Sequence, residues 1–105
     1  MDRVVKDGHV AVLHSPGYGA GWSTWNIEYS DEELMFDPGL VNLVLAGKKH
    51  EEIVVYATLK WPGAYIGGLS ELAVKWVPVG TRFQIRDDDG HEDVMLCDDI
   101  DWIIA

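Results

Sequence analysis

The chain has 105 residues, 48% of them hydrophobic, with five Trp, four Tyr and two Phe; this is material for one folded domain and argues against disorder of the whole. Eighteen acidic against eight basic residues give a net charge of −10, which disfavours direct binding of DNA or RNA through phosphate neutralisation. One cysteine, Cys97, excludes an internal disulfide framework and points to a reducing, cytoplasmic setting, and no stretch reaches the ~20 apolar residues of a membrane span.

The opening residues, Met-Asp-Arg-Val-Val-Lys-Asp-Gly, are charged and are not expected to form a signal peptide. Charges cancel over residues 1–27, whereas residues 86–105 set one arginine against eight carboxylates. His9-Val10-Ala11-Val12-Leu13-His14 is a short apolar run entered through Asp7-Gly8 and left through Ser15-Pro16-Gly17, and it predicts a buried strand. A glycine–aromatic segment follows, Ser-Pro-Gly-Tyr-Gly-Ala-Gly-Trp-Ser-Thr-Trp-Asn over residues 15–26. Glu28 to Phe36 carries no decisive pattern. Asp37-Pro38 predicts a helix start, since aspartate caps free amides and proline at the first helical position loses no hydrogen bond. Leu40, Leu43 and Val44 then share a face flanked by Val41 and Leu45, and Gly47 ends the helix.

Residues 51–61 send mixed signals. Ile53, Val54 and Val55 favour a strand, but Glu51-Glu52 in a first turn and Ile53, Ala57 and Trp61 four apart predict a helix. Ala64-Tyr65-Ile66 reads as a short strand broken by Gly67-Gly68. Leu72 to Val77 and Thr81 to Arg86 alternate as strands, with Phe83 and Ile85 inward. Asp89-Gly90 is a hairpin turn, Val94 to Cys97 returns, Asp98-Asp99 turns again, and Trp102-Ile103-Ile104 closes the chain. The expected fold is a single α+β domain over residues 1–105: an N-terminal strand, one or two helices, then a C-terminal antiparallel meander.

No catalytic constellation emerges, so a non-enzymatic protein without metal or cofactor is expected. Setting Gly90 at the glycine of an EF-hand loop places Ile85 and Leu96 at ligand positions, which rejects a calcium loop. His9 and His14, five apart on a strand, point to opposite faces and do not share a metal ion. Ser23 lacks the second glycine of a nucleophile elbow, and the glycine segment fails both the dinucleotide and the Walker patterns, because Trp22 stands at the third glycine and no Gly-Lys-Ser/Thr follows. A general competence remains. Glycine-rich amides make anion nests, and Tyr18, Trp22 or Trp25 offers a stacking surface, so a nucleotide suits the segment. The other reading makes Trp22 and Trp25 core anchors among glycines that ease close packing.

The segment of residues 15–26, with Trp76-Val77-Pro78-Val79-Gly80-Thr81-Arg82-Phe83-Gln84-Ile85 and the Asp-Gly turn followed by Glu92, resembles a family of small, largely uncharacterised proteins of tailed phages and prophages. The likeness runs from about His9 to Trp102. Where that family often has a tyrosine before Asp-Gly, this chain has Asp88, so no role for that tyrosine carries over. The resemblance implies a bacterial-cytoplasmic accessory protein that antagonises host antiviral defence. Two modes follow as expectations. One sequesters a small nucleotide-derived signal, in a pocket that a homo-oligomer could form between subunits, through His14, Ser15, Gly17, Tyr18, Gly19, Gly21, Trp22, Ser23, Thr24, Trp25 and Asn26. The alternative is an acidic inhibitor that imitates nucleic-acid charge and covers a basic host effector with Asp87, Asp88, Asp89, Glu92 and Asp93.

Overall fold

A computed structural model of the chain describes residues 2–17 and 21–96. Strands β1 (Val5–Lys6) and β2 (His9–His14) form a hairpin through Asp7 and Gly8, both at positive φ. Three helices follow: α1 (Asp31–Phe36), α2 (Pro38–Leu45) and α3 (His50–Lys60). A 3-10 turn over Gly67–Glu71 leads into β3 (Ala73–Pro78), and the hairpin β4 (Phe83–Asp88) and β5 (His91–Leu96) ends the described chain. The result is an α+β domain with antiparallel strands in two sheets.

β2 is the centre of the molecule because both of its faces are covered. Ala11 and Leu13 point to a helical core with Trp22, Leu34, Leu40, Ile53, Ala57 and Trp61. Val10 and Val12 point the other way, to Phe36, Val77 and Val94, with Phe83 and Ile85 packed alongside. A strand buried on both sides reads as a continuous apolar run rather than an alternating one, which is what residues 10–13 show. The order of layers is therefore helices, three-stranded sheet, hairpin.

Local chemistry explains the helices. The Asp37 side chain accepts from the Leu40 amide at 2.9 Å and caps α2, Pro38 occupies its first position, and Gly47 leaves it at positive φ. In α3 the four-residue spacing prevails over the β-branched run: Ile53, Ala57 and Trp61 are buried on one face, while Val55 and Leu59 are exposed. The unassigned Glu28–Phe36 stretch contains α1, whose Leu34 and Phe36 are buried.

Two features differ from the sequence expectation. Ala64 to Ile66 is not a strand, because the Asn26 side chain takes the place of a neighbouring strand. The Tyr65 amide donates to Asn26 Oδ1 at 2.6 Å, and the Tyr65 carbonyl accepts from Asn26 Nδ2 at 3.1 Å. The C-terminal strands are antiparallel but are split between sheets: β3 pairs with β2 from Ala73↔His14 to Pro78↔His9, and β4 pairs only with β5. The expected strand at Trp102–Ile104, the turn at Asp98-Asp99 and Cys97 lie outside the described residues. No helix among the described residues is long and apolar enough to cross a membrane.

Candidate functional site

Ser15, Trp22 and Thr24 gather around one side chain from far along the chain. Glu92 is completely buried. Its Oε1 accepts from the Ser15 amide at 2.8 Å, and its Oε2 accepts from the amides of Trp22 at 2.9 Å and Thr24 at 3.0 Å and from the Thr24 hydroxyl at 2.5 Å. The Glu92 amide completes the clasp by donating to the Ser15 carbonyl at 2.8 Å. A carboxylate out of water needs such charge-assisted donors, and the amides of Ser15, Trp22 and Thr24 supply them. These donors flank the glycines of the segment, and the protein's own glutamate takes them.

The other described residues of the segment divide between core and rim. Trp22 is fully buried, donates from Nε1 to the Leu34 carbonyl at 2.8 Å and meets Trp61 edge to face at 5.5 Å. Ser15, Ser23 and Asn26 are also buried, and Asn26 ties the Trp22 carbonyl to Tyr65. Gly21 lies under Trp25 and against Gly68: a Cβ on Gly68 would fall 2.4 Å from the Gly21 carbonyl oxygen, too close for any side chain. Gly17 sits against the Glu71 carboxylate. Tyr18 and Gly19 lie outside the described residues.

Trp25 is different. It is 36% exposed, rests on Tyr65 with ring centroids 5.2 Å apart, and reaches from Nε1 to Asp87 Oδ2 at 3.3 Å. Tyr65, Ile66 and Ile27 are exposed nearby in sequence and fold, Ile27 to 88%. An aromatic patch thus abuts the β4–β5 hairpin.

The hairpin sorts its acids by strand period. Asp87 and Glu92 are paired across the ladder, as are Ile85 with Val94 and Phe83 with Leu96, so Glu92 shares the inward face with apolar side chains. Asp87 also accepts from the Gly90 amide at 2.8 Å, which steadies the turn. Asp88 and Asp93 are exposed on the outward face, and Asp89 is exposed at the turn with φ of 53°. Four of the five acids expected to meet a partner are exposed; the fifth, Glu92, is removed from that surface and holds the loop instead. Alternation with Val94 and Leu96 was the signal for its burial.

Beside this junction runs a cleft of about 420 Å³, lined by Ser23 and Thr24, by Asp31, Glu32, Met35 and Phe36 of α1, by Arg3, and by Phe83, Gln84 and Ile85 of β4. Arg3 lies over the Phe36 ring at 4.1 Å. The chain matches no protein-family model, no curated protein and no solved structure.

His14, at the end of β2 and just before the segment, has a displaced pKa. Burial lowers it below the usual histidine value, against the opposing pull of the Val12 backbone and the Glu92 charge.

Proposed function

We propose that this chain is a non-enzymatic binding protein whose acidic hairpin end, with the aromatic pair beside it, covers a basic surface on a protein partner. In the setting implied by the phage-family resemblance, that partner is a host defence effector whose basic surface otherwise meets nucleic acid. One observation carries the reading: Trp25 and Tyr65 stand exposed next to Asp87, with Asp88, Asp89 and Asp93 beyond them on the same hairpin. Interfaces of high affinity concentrate their energy in Trp, Tyr and Arg, while surrounding charge sets approach and orientation.

The competing idea, capture of a small nucleotide by the glycine–aromatic segment, has less support. The Ser15, Trp22 and Thr24 amides that suited a phosphate already donate to Glu92, and Trp22 offers no exposed ring face for stacking. The adjoining cleft carries Asp31 and Glu32 against Arg3, which is unfavourable for an anionic ligand.

The test is affinity capture from the bacterial cell in which the protein acts, followed by titration of the purified captured protein. Asp88→Asn with Asp93→Asn is expected to weaken binding at least about tenfold, and about 0.3 M salt is expected to weaken the wild type comparably, because exposed charges are screened there. Partner binding that ignores both changes, or a nucleotide that raises the melting temperature and is lost in Trp25→Ala, contradicts the reading.

A further inference from the structure

The tripeptide Asp-Gly-His occurs twice, at residues 7–9 and 89–91, and in each copy Asp and Gly make the two-residue turn of a hairpin. The backbones match: φ is 52° at Asp7 and 76° at Gly8, against 53° at Asp89 and 87° at Gly90. Both are turns that need positive φ at two successive residues. Aspartate followed by glycine also carries a reaction of its own, because the glycine nitrogen can attack the aspartate carboxyl with no Cβ in the way. Three surroundings separate the two copies.

The first is the attacking nitrogen. The Gly90 amide donates to Asp87 Oδ1 at 2.8 Å, whereas the Gly8 amide has no acceptor among the described residues. The second is the histidine. His9 Nδ1 lies 2.8 Å from the Asp7 carbonyl oxygen; a carbonyl only accepts, so Nδ1 carries the proton and donates. His91 instead turns Nε2 toward Asp93 Oδ1 at 3.1 Å. The third is how firmly each turn is held. Gly8 is exposed, and the strand before it, β1, is only Val5 and Lys6, both exposed. Gly90 is buried, and its turn joins two strands paired from Asp88↔His91 to Phe83↔Leu96. Short, exposed pairings open more readily than long ones.

We infer that Asp7-Gly8 is a site of spontaneous aspartate isomerisation, and that the fold protects Asp89-Gly90 from the same reaction. In the first step the Gly8 nitrogen bonds to Asp7 Cγ. Its proton leaves with the hydroxyl of the protonated side-chain carboxyl as water, which closes a five-membered imide. Charge that develops on the nitrogen is shared with the Asp7 carbonyl oxygen across the same peptide bond, and His9 Nδ1–H points at that oxygen. In the second step water adds to the Asp7 main-chain carbonyl carbon and its bond to nitrogen breaks. The chain then runs through Cβ and Cγ, with a free α-carboxylate; addition at Cγ restores aspartate. The water lost is the water regained, and no other reactant is needed. The isoaspartyl link adds one methylene to the turn. The Lys6↔His9 pairing and the 2.8 Å bond from the Val79 amide to the Gly8 carbonyl no longer fit it, so the change loosens β1.

The test is peptide mapping by electron-transfer fragmentation, which distinguishes isoaspartate from aspartate, on the full chain kept for weeks at neutral pH. Isoaspartate is expected to build up at Asp7 at least about tenfold faster than at Asp89, since a hydrogen bond to a charged acceptor must first break at Gly90. Asp87→Ala is expected to raise the rate at Asp89 several-fold and to leave Asp7 unaffected. His9→Phe is expected to lower the rate at Asp7 several-fold. In concentrated urea, which removes these surroundings, the two sites are expected to react at similar rates. Equal rates in the folded protein overturn the assignment, as does faster reaction at Asp89. A contrast that survives urea unchanged also overturns it, because it would then belong to the preceding residues Lys6 and Asp88 and not to the fold. A rate at Asp7 that ignores His9→Phe overturns the part given to the imidazole.

Discussion

Glu92 decides how the glycine–aromatic segment is used. Its carboxylate collects three amides and a hydroxyl from residues 15–24, so Glu92→Ala leaves those donors buried without an acceptor. We expect a loss of about 3–5 kcal/mol in urea unfolding, since each buried donor left without an acceptor costs about 1–3 kcal/mol. Glu92→Gln keeps one acceptor oxygen but turns an amide toward backbone donors, and about 2 kcal/mol is expected. The two tryptophans of the same segment separate equally cleanly. Trp22→Ala opens a cavity beside Trp61 and costs about 3–5 kcal/mol, whereas Trp25→Ala changes stability little and weakens partner binding. His14 adds a pH dependence. Because burial depresses its folded pKa, its contribution is complete above the usual histidine value near 6.5 and is lost as pH falls through the folded value. Denaturant midpoints measured from pH 7.5 down to pH 5 are expected to fall for the wild type and to fall less for His14→Gln.

At the scale of elements, α2 and α3 are joined at Asp37. Its carboxylate caps α2, accepts from Tyr56 Oη at 2.6 Å and pairs with Lys60 at the end of α3. Burial pushes the Asp37 carboxyl up, but hydrogen bonds from Lys60, Tyr56 and the Leu40 amide outweigh it and hold the pKa below the usual carboxylate value. The stability this group contributes is present above about pH 4 and disappears as acid protonates it, so Asp37→Asn is expected to remove the lowest-pH part of the acid-unfolding profile. Much of this architecture was legible in the residues. Asp37-Pro38 and Gly47 marked α2 by their end chemistry, the 53–57–61 spacing identified α3, and Asp89-Gly90 announced the hairpin because both residues accept positive φ. What escaped notice depends on contacts between distant residues. Nothing near Tyr65 reveals that Asn26 will satisfy its backbone, and nothing near Trp76 reveals a pairing with Ala11 across the helices. Glu92 sat within an acidic run, and its inward position followed only from its alternation with Val94 and Leu96.

For the whole molecule, the three-layer arrangement joins sequence ends into one surface. β2 holds the helices on one face and the hairpin on the other, and Glu92 locks residues 15–24 to that hairpin. The apolar and aromatic groups left outside, Trp25, Tyr65 and Ile66, then lie beside an acidic hairpin end in a chain of net charge −10. Such a surface attracts basic partners at long range and repels free nucleic acid. The proposed role as a charge-imitating inhibitor makes partner affinity steeply dependent on salt, while stability, carried by the apolar layers, varies little with it. The decisive measurement is calorimetric titration of the captured partner protein with wild type, Asp88→Asn/Asp93→Asn and Trp25→Ala, each at low and at about 0.3 M salt. The account expects at least about tenfold weakening from each substitution set, with salt sensitivity reduced in the aspartate variant and retained in Trp25→Ala. Affinity that is unchanged by the substitutions and indifferent to salt would contradict it.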